Sequence, residues 1–158
     1  TRQELDFNEL VREVLTLYES LAGRLQVELA PDLPRIVGDS AQLRQVIHNL
    51  LQNAEDALAD VANPRIVVRT QPAGHGMSLT IADNGSGFPP ELMQRAFEPY
   101  VTTKPKGTGL GLVIVKKIIE EHGGSVEIAN ISPHGAQITL NFPAGALQTA
   151  AVKTAARA

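Results

Sequence analysis

The chain has 158 residues, a net charge of −3 and no cysteine, which describes about one domain able to bury roughly two-thirds of its unfolded surface without staples. The missing cysteine excludes a disulfide framework and thiolate chemistry and fits a reducing, cytoplasmic compartment, while the acidic balance argues against a general nucleic-acid binder. Apolar runs fall far short of the ~20 residues of a membrane span, and with 43% hydrophobic but 4% aromatic residues the core must be built from Leu, Ile, Val and Ala.

Leu5, Leu10, Val14, Leu17 and Leu21 recur at helical spacing, predicting an amphipathic helix that ends near Gly23. The chain opens at Thr1 inside this pattern, without methionine, and is expected to be a piece of a longer protein. Short strands are predicted at 26–29 and 35–37, on either side of a Pro-Asp-Leu-Pro turn. Asp39, with Gln42 three residues on, resembles a capping box, and the helix it opens carries Leu43, Val46, Ile47, Leu50, Leu51, Ala54 and Leu58 on one face. Segments 65–70 and 77–82 alternate like half-buried strands and form a hairpin through the turn-rich 72–76.

Asp83-Asn-Gly-Ser-Gly87 reads as a sharp turn, and Pro89 and Pro90 suit the start of a short helix over 91–96. Residues 97–106 have no period and are expected to be a mobile loop. Then comes KGTGLGL at 106–112, with glycines at alternate positions. Glycine lets a backbone approach a ligand closely, which suggests a phosphate cradle. The run is neither a Walker loop, whose lysine follows the last glycine, nor a GxGxxG dinucleotide fingerprint.

A helix to about His122 follows, with Ile114, Val115, Ile118 and Ile119 set against Lys116, Lys117, Glu120 and Glu121, and Gly123-Gly124 stops it. Segments 125–130 and 137–142 make a second hairpin. The Ala-rich tail 144–158 is expected to be disordered or frayed, leaving 1–143 as the domain. Helices interleaved with hairpins predict an α+β fold, a two-layer sandwich of one mainly antiparallel sheet covered by helices on one face.

In projection, at about 100° per residue, Asn53 lies at the edge of the apolar stripe of the 43–58 helix, with Asn49 and Asp56 on adjoining turns. Asparagine is a poor interior helix former, so two of them four apart on one flank point to a use. Their carbonyl oxygens suit Mg²⁺, which prefers oxygen donors and keeps waters beside nucleotide phosphates. Asp83 ends a strand, and its carboxylate can accept from an exocyclic amine such as adenine's, with Gly85 and Gly87 leaving room for a flat ring. Thr102, Thr103, Lys104 and Lys106 supply hydroxyls and cations. Each group taken alone also fits an ordinary solvated helix flank, turn or basic loop.

Their order resolves that ambiguity. HNLLQNAEDA, DNGSGF, FEPYVTTK and GTGLGL resemble the N, G1, F and G2 boxes of the catalytic ATP-binding domain of sensor histidine kinases. FEPYVTTK with a short following loop and VKKIIEEHGG look most like the nitrogen-regulation kinases of the NtrB and NtrY type. The resemblance spans roughly residues 5–143 and implies a Bergerat fold that binds ATP and Mg²⁺. It implies that Asn53 and Asn49 hold the metal, that Asp83 binds the adenine amine, and that Gly85 and Gly87 shape the base pocket. It also implies a lid from Tyr100 through Thr102, Thr103 and Lys104, with Lys104 a phosphate contact. Gly107, Thr108, Gly109, Leu110, Gly111 and Leu112 would present backbone N–H groups to the phosphates.

The related gyrase, Hsp90 and MutL ATPases place a glutamate base four residues before the metal-binding asparagine. Here that residue is Asn49, which cannot take a proton, so hydrolysis should be slow and the γ-phosphate reserved for another acceptor. None of His48, His75, His122 and His134 is followed by the pattern of a phosphoacceptor helix. His48 is expected in solvent, His75 and His134 in turns, and His122 at a helix end complementing the dipole.

The resemblance therefore implies a histidine kinase catalytic domain, monomeric in isolation and without membrane contact of its own. Its partners are a dimerisation and phosphoacceptor domain and a response regulator, and the sequence leaves open whether the parent is anchored in the inner membrane. Departures fall at Asp56, where relatives often have a basic residue towards the phosphates, and at Ala136-Gln137, where a threonine often follows the glycine. The alternatives are a gyrase- or Hsp90-type ATP hydrolase and a nucleotide sensor without catalysis.

Overall fold

A computed structural model describes residues 1–93, 95–98 and 111–144. Tyr100, Thr102, Thr103, Lys104, Gly107, Thr108, Gly109 and Leu110, and the predicted tail from 145 on, lie outside the described residues.

Strand β1 (Gln3–Leu5) precedes α1 (Phe7–Leu15), whose N-cap Asp6 accepts a hydrogen bond from the Glu9 amide. A 3₁₀ segment, Thr16–Arg24, leads into β2 (Leu25–Glu28). Strand β3 (Ile36–Gly38) pairs antiparallel with β1 and runs straight into α2 (Ser40–Ala57). Strands β4 (Ile66–Ala73) and β5 (Gly76–Asp83) form the first hairpin. A four-residue helix α3 (Pro90–Met93), helix α4 (Gly111–Glu121) and the hairpin of β6 (Ser125–Asn130) and β7 (Ala136–Phe142) complete the order.

The main sheet is ordered β2-β4-β5-β7-β6, antiparallel except for the parallel pair β2–β4. Its register sorts the side chains into two faces. Ile66, Val68, Met77, Leu79, Ile81, Ile138, Leu140 and Phe142 are buried on one of them, opposite α1, α2 and α4. The other carries Arg69, Gln71, Gln137, Thr139 and Asn141, the alternation expected of a sheet covered on one side. Leu43, Val46, Ile47, Leu50, Leu51, Ala54 and Leu58 of α2 are all buried as its spacing predicts. Three polar groups also cross the layers: Thr70 Oγ1 donates to Asn8 Oδ1 at 2.8 Å and accepts from the Ala30 amide at 3.0 Å, and Asn8 Nδ2 donates to the Ala30 carbonyl at 2.7 Å. The loop closes on itself, so no buried donor is stranded.

The single long N-terminal helix expected from the leucine spacing is corrected in two places. Asp6 starts α1 one residue after Leu5, which is in β1 instead. Beyond Leu15 the backbone tightens to 3₁₀ and kinks at Tyr18, with φ −117° and ψ 34°. That change of period turns Leu17 out to 75% exposure and places Tyr18 inside at 5%.

Candidate functional site

Helix α2 is the common wall of the site. It is buried along the stripe ending at Ala54, so Asn49 and Asn53 remain half-buried on its flank while Asp56 is exposed and accepts from Gln52 Nε2 at 3.2 Å. At the next helix, Gly111 faces this flank: a methyl group on it would stand 4.0 Å from Asn53 Oδ1. The end of the glycine run and the second asparagine are thus neighbours across the gap between α4 and α2. Leu112 packs against the core.

One turn further along α2, the turn after β5 rests on the helix end. A Cβ on Gly85 would lie 2.5 Å from the Ala57 carbonyl oxygen, so any side chain there would push the turn off the helix. Asp83, the last residue of β5, sits in register between Ile66 of β4 and Ala136 of β7 and is 8% exposed. Its Oδ1 accepts from the Gly85 amide at 2.8 Å. Burial pushes its carboxyl up, opposed by the N–H groups of Gly85 and Ala136. A desolvated carboxylate with free lone-pair capacity at a sheet end is a strong acceptor for an amine placed beside it.

Two asparagines and a glycine that pattern reading passed over, Asn84, Asn130 and Gly135, hold this turn together with the expected Gly87. Asn84 Oδ1 accepts from the Arg65 amide at 2.8 Å and its Nδ2 donates to the Asn63 carbonyl at 2.8 Å. On the far side, Asn130 accepts from the Phe88 amide at 2.7 Å and donates to the Phe88 carbonyl at 2.8 Å. Between them Gly87 adopts φ +80°. Gly135, at φ +134°, lies so close to the Asp83 carbonyl that a Cβ would clash at 2.0 Å. The only sequence signal for these groups was the density of Asn and Gly at strand ends.

The histidines lie where expected, yet three of them have partners that the sequence did not indicate. His48 is exposed, as expected, yet it is not merely solvated, since its Nδ1 lies 2.6 Å from the Tyr18 hydroxyl. His134 donates from Nδ1 to the Gly85 carbonyl at 3.0 Å and so braces the base of the Asp83 turn. His122 stands at the end of α4 as expected, buried between two backbone groups, and donates from Nδ1 to the last-turn carbonyl of Ile118.

For Mg²⁺ the donor set is chemically suitable. Two neutral carbonyl oxygens on one flank of α2, with no cluster of three or more His, Cys, Asp or Glu among the described residues, suit an ion that is held largely by waters and phosphates.

Residues 38–146 match the family model described as histidine kinase-, DNA gyrase B- and HSP90-like ATPase. A protein of Rickettsia bellii (strain RML369-C) named as an NtrY-like sensor histidine kinase is 47% identical over 104 residues, covering 66% of this chain and 17% of that relative. The catalytic domain of histidine kinase ThkA superposes with a TM-score of 0.82 at 32% identity, covering 92% of this chain and 97% of that one. Full-length ShkA in complex with AMPPNP gives a TM-score of 0.77 at 28% identity, covering 90% of this chain and 31% of that one. The chain spans between 17% and 31% of the length of the curated relatives it matches. The family match and the superposition agree: the chain belongs to the histidine kinase-, DNA gyrase B- and HSP90-like ATPases, and within them to the catalytic domains of sensor histidine kinases.

Proposed function

We propose that this chain binds Mg·ATP along the flank of α2 and donates the γ-phosphate to a histidine on a separate dimerisation domain, with a response regulator downstream. The observation that carries this reading is the juxtaposition of Asn53 with Gly111 on one side of α2 and of Ala57 with the Asp83–Gly87 turn at its end. That juxtaposition supports reading Asn53 as a metal donor, Gly111 as the end of a phosphate loop and Asp83 as an amine acceptor along one helix. ShkA, with the same fold, is described in complex with AMPPNP.

In this reading the Asp83 carboxylate accepts from the adenine amine, Gly85 and Gly87 admit the ring, and the backbone at Gly111 and Leu112 faces the phosphates at the start of α4. Asn53 and Asn49 would hold Mg²⁺, which supplies charge neutralisation for the phosphates when bound. Asn49 gives no base for water, so the domain positions the γ-phosphate for transfer instead of hydrolysing it. The unit is residues 1–143, monomeric by itself and working in the cytoplasm. Among the described residues no helix is long and apolar enough to cross a membrane. The NtrY-like resemblance names the subfamily it would serve.

Radiolabelled ATP, Mg²⁺, this chain and the dimerisation domain of its parent, mixed together, test the proposal. Phosphohistidine should appear on the added domain. Steady release of inorganic phosphate, or nucleotide binding with neither product, would replace the kinase with a hydrolase or a sensor.

A further inference from the structure

Helices α2 and α4 run antiparallel and meet at both ends. At one end Gly111 faces Asn53. From there α2 runs back about 20 Å to its N-cap and α4 runs on about 17 Å to its last turn, at 1.5 Å per residue. At that second end stands His122, 7% exposed. Its Nε2 lies 3.1 Å from the backbone nitrogen of Asp39, the N-cap of α2, and its Nδ1 lies 2.7 Å from the Ile118 carbonyl oxygen in α4. An amide N–H can only donate, so Nε2 is the bare acceptor and Nδ1 carries the proton given to Ile118. The ring is therefore neutral and in one tautomer.

The neighbouring chain is shaped around this ring. A Cβ on Gly38 would stand 2.7 Å from His122 Cδ2 and 2.9 Å from Leu43 Cδ1, so the residue before the N-cap leaves the imidazole its space. Asp39 in turn caps α2 by accepting from the Gln42 amide at 3.1 Å. One side chain thus joins the end of the helix that follows the glycine run to the beginning of the helix that carries Asn49 and Asn53.

We infer that His122 is a positioning residue for the nucleotide: by fastening α4 to the N-cap of α2 it sets the separation of Gly111 and Asn53 at the opposite end of the pair. This rests on the reading that nucleotide lies between those two residues. Two packed rods joined at one end have their free ends placed by the joint, and packed helices move as rigid elements.

The two bonds can be separated by substitution. Asparagine at 122 keeps a donor near the Nδ1 position but falls short of Asp39, whereas glutamine reaches it with Oε1. Calorimetric binding of Mg·AMPPNP to this chain should weaken about fivefold in His122→Asn, the effect of one lost hydrogen bond. In His122→Gln it should stay within about twofold of the parent. The loss in a His122→Asn, Asn53→Ala double variant should be smaller than the product of the single losses, because nothing is left at Asn53 to be positioned. If His122→Asn binds like the parent while unfolding at a lower temperature, or if the losses multiply, His122 is a structural tie alone and the inference falls. If Asn53→Ala by itself leaves affinity unchanged, the reading of the site is wrong, and the contrast between asparagine and glutamine still decides the role of His122. Should His122→Asn fail to fold, Gly38→Ala displaces the ring without removing it and takes its place, with the same expected loss.

Discussion

Asn130 grips Phe88 by both backbone groups, accepting from its amide at 2.7 Å and donating to its carbonyl at 2.8 Å. This reproduces a strand-like pairing with a side chain and fixes the exit of the Asp83–Gly87 turn. Asn130→Ala should cost about 1 kcal/mol, since the contact is exposed and water replaces part of it. The larger effect should be local: faster amide exchange at Phe88 and weaker adenine-nucleotide affinity. Hydrogen exchange and calorimetry measure the two, and a uniform loss of protection across the sheet would contradict a local role.

Asp83→Asn should weaken adenine-nucleotide binding by about a hundredfold, because an amide turns a donor towards the amine and loses the charge-assisted bond. The fold should survive, since the Gly85 amide keeps an acceptor. Unchanged affinity would remove Asp83 from the base pocket.

The pH dependence of Asp83 has two opposite signs. Burial raises its folded carboxyl above the ordinary 3.8, so the group's contribution to stability is fully present below that value and is lost as pH rises through the folded one. Nucleotide recognition needs the anion, so affinity should fall on acidification at a higher pH than an exposed aspartate would give. Calorimetric titrations across the acid range should show that step in the parent chain and none in Asp83→Asn.

Asn53→Ala should weaken nucleotide binding more with Mg²⁺ than in chelator. Equal losses in the two conditions would argue that Asn53 touches nucleotide without holding the metal.

Tyr18 gives an alkaline signature. Burial, followed by the charges of Glu55 and Asp56, pushes its phenol up to about 12. The folded state therefore holds this proton more tightly, giving stability that is complete below the ordinary value of 10.0 and lost as pH rises towards 12. Tyr18→Phe should flatten that loss and cost about 1 kcal/mol at neutral pH by removing the hydroxyl from His48. Denaturant melts at a series of alkaline pH values would show whether the slope disappears.

The elements that sequence made legible share one property: their signal is periodic. The stripe from Leu43 to Leu58 follows from helical spacing and both hairpins from side-chain alternation, and each was found where expected. The N-terminal segment shows the limit of that signal. Leu17 and Tyr18 both fit an apolar helix face, and only the change to 3₁₀ geometry decides which one is buried. The chemical groups followed the same division. Asn53, Asp83 and Gly111 stand in ordered boxes at positions whose chemistry the box implies, whereas Asn84, within a box, and Asn130 and His122, outside the four boxes, act on backbone atoms distant in sequence, which no local pattern records.

The parallel pairing of β2 with β4 has a consequence for how this domain can vary. Parallel neighbours cannot be joined by a tight turn, so the chain between them must cross the face of the sheet, and here the crossing element is α2 itself. The helix that bears Asn49 and Asn53 is therefore a topological requirement of the edge strand. Loop lengths on either side of it can drift, but rewiring that edge into a hairpin would delete the wall on which every other part of the site is assembled.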